Sequence, residues 1–248
     1  GNGAGIVTFD FTDFVLPTNV KIWVVGSRPA AIVASGDVVI AGRIYAVNGG
    51  IGGHPPDGYF GSGMSAVAPN GSPVASGGVG GQVSRGVCDP ALTPWGWDAT
   101  TAGAGGGGGG ATRGQDGANG KTAICAYWNE DRSQRYYWYT AQEMGGAGGS
   151  ANGSDVLVGG GGGGQGGYSG NPGYPFAGGV GGNGGGALLI GAHGALTVAA
   201  TGEVHADGAG GGYYDNYSGG GGGGGGGYLM LTGNGIVQTD GALSARGG

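Results

Sequence analysis

The chain has little charge, only two cysteines and no long apolar run. Charged residues make up 10% of its 248 positions, the nine Lys and Arg never cluster, and the net charge is -6. Nucleic-acid binding needs a basic footprint, so that class is set aside. No stretch approaches the roughly 18 apolar residues of a spanning helix, so membrane insertion is not expected. Cys88 and Cys125 have no CxxC spacing and make no zinc site. Ten prolines, with glycine absent from strict third positions, exclude collagen. No window of useful length carries an amphipathic helical period, so helices are not expected.

What the chain has is glycine, 73 residues of it, in near-pure runs at 105–110, 159–164 and 219–227. Such a run either stays disordered or packs backbone against backbone, where the missing Cβ is what matters. Disordered chains are rich in charge and poor in aromatics. Here 38% of residues are hydrophobic and 9% aromatic, which points to order.

Three stretches read alike: 30–50 (AAIVASGDVVIAGRIYAVNGG), 187–212 (ALLIGAHGALTVAATGEVHADGAGGG) and 228–248 (YLMLTGNGIVQTDGALSARGG). Each is an apolar strand, a glycine turn, a second strand, another glycine, and a third strand. Short strands with turns every six to ten residues suggest solenoid rungs that bury apolar positions against their neighbours. Val7–Val25 alternates as well, and reads as two strands around Pro17-Thr18-Asn19 that cap the stack or form its first rung.

The expected organisation is a single domain, 1–248. Residues 1–50 hold N-terminal strands and the first solenoid repeat, 51–186 a glycine-rich insertion, and 187–248 further repeats with a glycine-rich hairpin at 208–227. A structureless loop as long as 51–186 is implausible in a compact domain. Polyproline-II geometry, three residues per turn, lets glycine segments lie side by side and bond between backbones. The expected fold is therefore all-β: a β-solenoid, parallel β-helix-like base carrying an insertion packed as polyglycine or polyproline-II helices.

The residues Ser35–Ala46, with their Gly-Asp-Val-x-Ile-x-Gly-x-Ile-x-Ala pattern, Gly184–Ile190 and Gly219–Leu231 resemble glycine-rich β-solenoid proteins of phages and bacterial surfaces. The glycine runs are similar to those of phage tail-fibre adhesins, in which glycine helices form a sandwich that presents receptor-binding loops. The likeness covers both ends of the chain and not its aromatic centre. It implies a non-enzymatic extracellular or virion surface protein that binds a host surface glycan or an outer-membrane protein. A homo-oligomer or repeating assembly is also expected, since charge-poor faces suit side-by-side association. The alternative is a self-assembling structural subunit: a capsid decoration, a coat or an extracellular filament.

The segment 88–144 departs from the rest, holding four of the five tryptophans. Trp95, Trp97, Tyr127, Trp128, Tyr136, Tyr137, Trp138 and Tyr139 suit a recognition or subunit face, because flat rings contact sugar C–H faces and gain area at low entropy cost. Filling the interior of a domain short of large side chains is the competing reading. Tyr59, Tyr174, Tyr213 and Tyr214 sit among Gly, Ser, Asn and Pro, as turn residues do. They serve either as contact loops or as anchors for glycine segments. A bridge between Cys88 and Cys125 would close a loop of about 38 residues.

Catalytic and metal signals are thin. No Gly-x-Ser-x-Gly elbow occurs, no glycine run precedes Lys-Ser or Lys-Thr, and Glu130-Asp131 reads as a solvated turn. Asn152–Gly160 resembles one RTX-type calcium nonapeptide, but Gly161–Gly164 stand where a second copy would need Asp. His54, His193 and His205 look isolated. No catalytic residue, metal or cofactor is expected.

Overall fold

The computed structural model describes residues 5–26, 28–47, 106–110, 112–117, 124–128, 135–139, 147–151, 157–166, 169–171, 174–176, 179–212 and 220–248. The short alternating segments form strands. A first turn of chain holds β1 (Val7–Phe11), β2 (Phe14–Leu16) and β3 (Lys21–Val24); a second holds β4 (Ala30–Ala34), β5 (Val38–Ile40) and β6 (Arg43–Ala46). Two antiparallel pairs follow, β7 (Ile124–Trp128) with β8 (Arg135–Tyr139), and β9 (Ser169–Asn171) with β10 (Tyr174–Phe176). The third turn holds β11 (Ala187–Ala192), β12 (Leu196–Val198) and β13 (Glu203–His205), and the fourth β14 (Tyr228–Gly233), β15 (Val237–Thr239) and β16 (Ala242–Ser244). Among the described residues there is no helix, and so none long and apolar enough to cross a membrane.

Corresponding strands of the four turns pair in parallel. The first sheet runs β1-β4-β11-β14, the second β2-β5-β12-β15 and the third β3-β6-β13-β16. The chain thus visits three sheets in the same order four times, an all-β, solenoid-like stack of four rungs. Side chains alternate across each strand, so every second column of a sheet points into the middle. Ile32 and Ile190, Ile40 and Val198, and Ile44 and Val204 are register partners on adjacent rungs, all buried. The hydrophobic core is drawn from these strands and the residues that flank them.

The corners explain the repeated glycines. Between the first and second sheets, the amides of Gly36, Gly194 and Gly235 donate to the carbonyls of Thr12, Gly36 and Gly194, one rung below. Asp13 accepts the amide of Asp37, and Asp37 accepts that of Ala195, at 2.9 and 2.8 Å. A Cβ on Gly36 or Gly194 would collide with those aspartate oxygens. At the next corner Gly42, Gly202 and Gly241 have no room for a side chain against carbonyls of the preceding rung.

Val7–Val25 differs from its expected form. It carries three strands, not two, and is a full rung. Nor does it cover the stack: its core-facing Phe9 and Phe11 are 50% and 41% exposed. Its corner positions are Thr12 and Val20, which bear side chains because no rung lies beneath them.

The excursions of the glycine runs leave from one corner, between the third and first sheets: 47–186 from β6 to β11, and 206–227 from β13 to β14. Their backbones bond to one another. The amides of Gly160, Gly163 and Gly166 donate to Gly185, Gly182 and Gly179, while those of Gly161 and Gly164 donate to Gly109 and Gly106, all at 2.8–2.9 Å. Donors advance by three as acceptors fall by three, so these neighbours are antiparallel. Gly182 and Gly185 donate to Gly222 and Gly225, a parallel pair with the same step. Among the described residues, 220–227 exchange hydrogen bonds with five segments: 106–110, 157–166, 179–186, 206–212 and 246–248. A Cβ on Gly108, Gly163, Gly184 or Gly224 would sit closer than 3.0 Å to a neighbouring segment's carbonyl.

Candidate functional site

The aromatic residues singled out from the sequence divide into two groups. Tyr127 and Trp128 lie on β7, Tyr136, Tyr137, Trp138 and Tyr139 on β8, and Tyr174 on β10. The hairpin register sets Tyr127 opposite Tyr136, Cys125 opposite Trp138, Ala126 opposite Tyr137 and Trp128 opposite Arg135. Directly opposed positions are the contact units of a ribbon, so this hairpin concentrates aromatic residues in one short element. Trp95, Trp97, Tyr59, Tyr213, Tyr214 and Cys88 lie outside the described residues.

A second aromatic group was not foreseen. On the outward side of the third sheet, register aligns Trp23, Tyr45, His205 and Ser244 in one column. Trp23 stacks on Tyr45 with ring centroids 4.5 Å apart, and Tyr45 on His205 at 5.3 Å, both nearly parallel. Because each ring lies along the stack, Tyr45 has neighbours on both faces. Trp23, at the end, keeps one face open and is 59% exposed.

The neighbouring column is charged. Lys21, Arg43, Glu203 and Ala242 are register partners. Glu203 divides its carboxylate: Oε1 meets the Arg43 guanidinium at 3.1 Å, and Oε2 meets His205 Nε2 at 3.1 Å. His205 Nδ1 lies 3.3 Å from Asp207 Oδ2. Asp207 Oδ1 in turn accepts the hydroxyl of Ser244 and the amide of Arg246. Burial pushes the Asp207 carboxyl up, but the Arg246 amide, the Ser244 hydroxyl and His205 outweigh it and hold the group below the usual range. His205 is thus a strand residue, as its neighbourhood suggested, yet far from isolated.

The sequence contained the signal for this face. The third strands read Lys21-Ile22-Trp23, Arg43-Ile44-Tyr45, Glu203-Val204-His205 and Ala242-Leu243-Ser244, each with an apolar residue inward between two outward ones. Aligning them requires recognising Lys21–Val24 as a third strand, which the break at Pro17-Thr18-Asn19 obscured.

Beside the charged column lies an open groove of about 470 Å³, lined in part by Thr18, Asn19, Lys21, Arg43, Thr201 and Glu203. Thr201 donates its hydroxyl to the carbonyl of Ala41. Among the described residues, no group of three or more His, Cys, Asp or Glu is arranged to hold a metal. Comparison with protein-family models, curated proteins and solved structures returns no match, so the functional reading rests on this geometry.

Proposed function

We propose that the chain is a non-enzymatic extracellular or virion surface protein of the tail-fibre or tail-tip adhesin kind, binding a host surface glycan or outer-membrane protein. In this reading the strand stack is the mount, and the glycine segments pack as a lattice of polyglycine II helices. The observation that carries it is the three-residue step of the backbone hydrogen bonds, which matches the period of that helix. A β-strand would step by two. Each interior segment bonds to several neighbours, so the lattice is a stiff support built almost without side chains. The aromatic hairpin β7–β8 belongs to the same excursion and supplies a compact contact element.

The carboxylates on the third sheet favour recognition over catalysis. Glu203 and Asp207 are engaged by Arg43, His205, Ser244 and the Arg246 amide. Glu203 lines the open groove, but its two carboxylate oxygens are taken up by Arg43 and His205.

A self-assembling subunit is the second reading, favoured by core-facing residues exposed at both ends of the stack. Phe9 and Phe11 at one end, and Val237 (45%) and Leu243 (42%) at the other, are partly open. In-register stacking of copies would press Thr12 and Val20 where every internal rung has glycine, so any such assembly uses another geometry.

Electron microscopy of the purified protein, alone and mixed with cells or envelopes, separates the two. Discrete particles that attach, with attachment lost in folded Trp95→Ala or Trp138→Ala variants, support the adhesin. Ordered filaments without a partner, and no attachment, overturn it.

A further inference from the structure

We infer that the outward face of the third sheet, at its first rung, binds an acidic sugar: the carboxylate on Lys21, the sugar ring against the open face of Trp23. This rests on the adhesin reading and names the ligand class for a site on the strand stack, away from the aromatic hairpin.

The charge arrangement points to an anion. Lys21 and Arg43 are direct register partners on adjacent parallel strands, and like charges so placed repel. Only nine Lys and Arg occur in the chain, whose net charge is -6, yet two of them meet here. The one carboxylate in the column, Glu203, is shared between Arg43 and His205. Its charge therefore answers Arg43 and leaves the Lys21 end of the groove electropositive. A ligand carboxylate there would give Lys21 the counter-charge that Glu203 gives Arg43. Charge-assisted bonds of this kind are stronger than neutral ones.

The groove and the Trp23 ring beside it supply the remaining chemistry. Thr18 and Asn19, on the corner between β2 and β3, offer hydroxyl and amide groups at the Lys21 end. Trp23 lies two residues from Lys21 on the same side of β3. Its inner face is covered by Tyr45 at 4.5 Å, so the outer face alone is free for the apolar side of a pyranose ring. A neutral sugar would use the ring and the hydroxyl-binding groups, but would leave Lys21 unanswered. The site thus discriminates by charge.

The test is titration of the intact chain with oligogalacturonate and with a sialylated oligosaccharide, each against a neutral oligosaccharide of equal length. At least one acidic ligand is expected to bind about tenfold or more tightly than its neutral counterpart, as a lost charge-assisted bond implies. That advantage shrinks as salt rises. Lys21→Gln, with circular dichroism unchanged, removes the preference while keeping residual neutral binding, and Trp23→Ala weakens both. Equal binding of acidic and neutral ligands, or a folded Lys21→Gln protein with its preference intact, overturns the inference. The adhesin reading is judged separately by attachment to envelopes: wild type and Lys21→Gln attaching equally would sink the acidic site and leave the adhesin standing.

Discussion

Leu188 and Gly163 are both buried, yet a methyl group acts in opposite senses at the two positions. In the strand stack, order comes from side chains: Leu188, Ile190 and Leu196 fill the middle, and removing carbon from them leaves a void. In the glycine segments, order comes from backbone bonded to backbone. There, carbon added at Gly163 meets the carbonyl of Gly222, which cannot move without breaking its own segment. One region is sensitive to subtraction and the other to addition. Both bond backbone to backbone, the stack through a two-residue period and the glycine segments through a three-residue one.

The sharpest break of this contrast is Gly224→Ala. Its Cβ would fall on the carbonyl of Asn183, and we expect a loss above about 3 kcal/mol, at the upper end of overpacking costs. Denaturant titration measures it, with hydrogen exchange following the amides of Gly182 and Gly185. A variant within about 1 kcal/mol of wild type would refute the close backbone packing. Leu188→Ala, at the centre of the stack, is expected to cost about 2–5 kcal/mol by the same titration, leaving exchange in the glycine segments less affected than the stack.

The joint between the regions is the third probe. Asp207 reaches from the end of β13 to the amide of Arg246. Its carboxyl is held below the ordinary value in the folded protein, so the group adds stability above the unfolded pKa of about 4, and that part is lost as pH falls through the folded value. With 37% of the side chain exposed, the contribution is under about 1 kcal/mol. Asp207→Asn should flatten the stability profile between about pH 5 and 3; a profile as steep as wild type would remove the carboxylate from the joint. The smallest effect is expected at Gly210→Ala. An added Cβ there meets nothing within 4 Å, and the change should fall between neutral and a gain of about 1 kcal/mol from a stiffer unfolded chain.

Legibility in the sequence followed the cause of each pattern. The rungs at 30–46, 187–205 and 228–244 were readable because corner glycines recur wherever one rung sits on another. The rung at 7–24 was half-missed for the same reason: nothing lies beneath it, so Thr12 and Val20 replace glycine and the marker is gone. The column Trp23–Tyr45–His205 was hidden because 21–24 read as the second strand of its segment, not as the third strand of a rung, and so was not aligned with 43–46 and 203–205. The aromatic hairpin stood out by composition alone, although composition says nothing of its pairing.

That excursion also sets a timetable. Residues 47–186, 140 in all, separate β6 from β11 in the order of synthesis. At about 5–20 residues per second, the ribosome takes roughly 7 to 28 s to cross them. Through that interval the two completed rungs must wait with Ile32, Ile40 and Ile44 uncovered on their unfinished side. A nascent chain of this design exposes three ready strand edges and half a core for many times the duration of a hairpin's formation. A half-built surface of this kind is prone to aggregation before the finished molecule's own stability has any say.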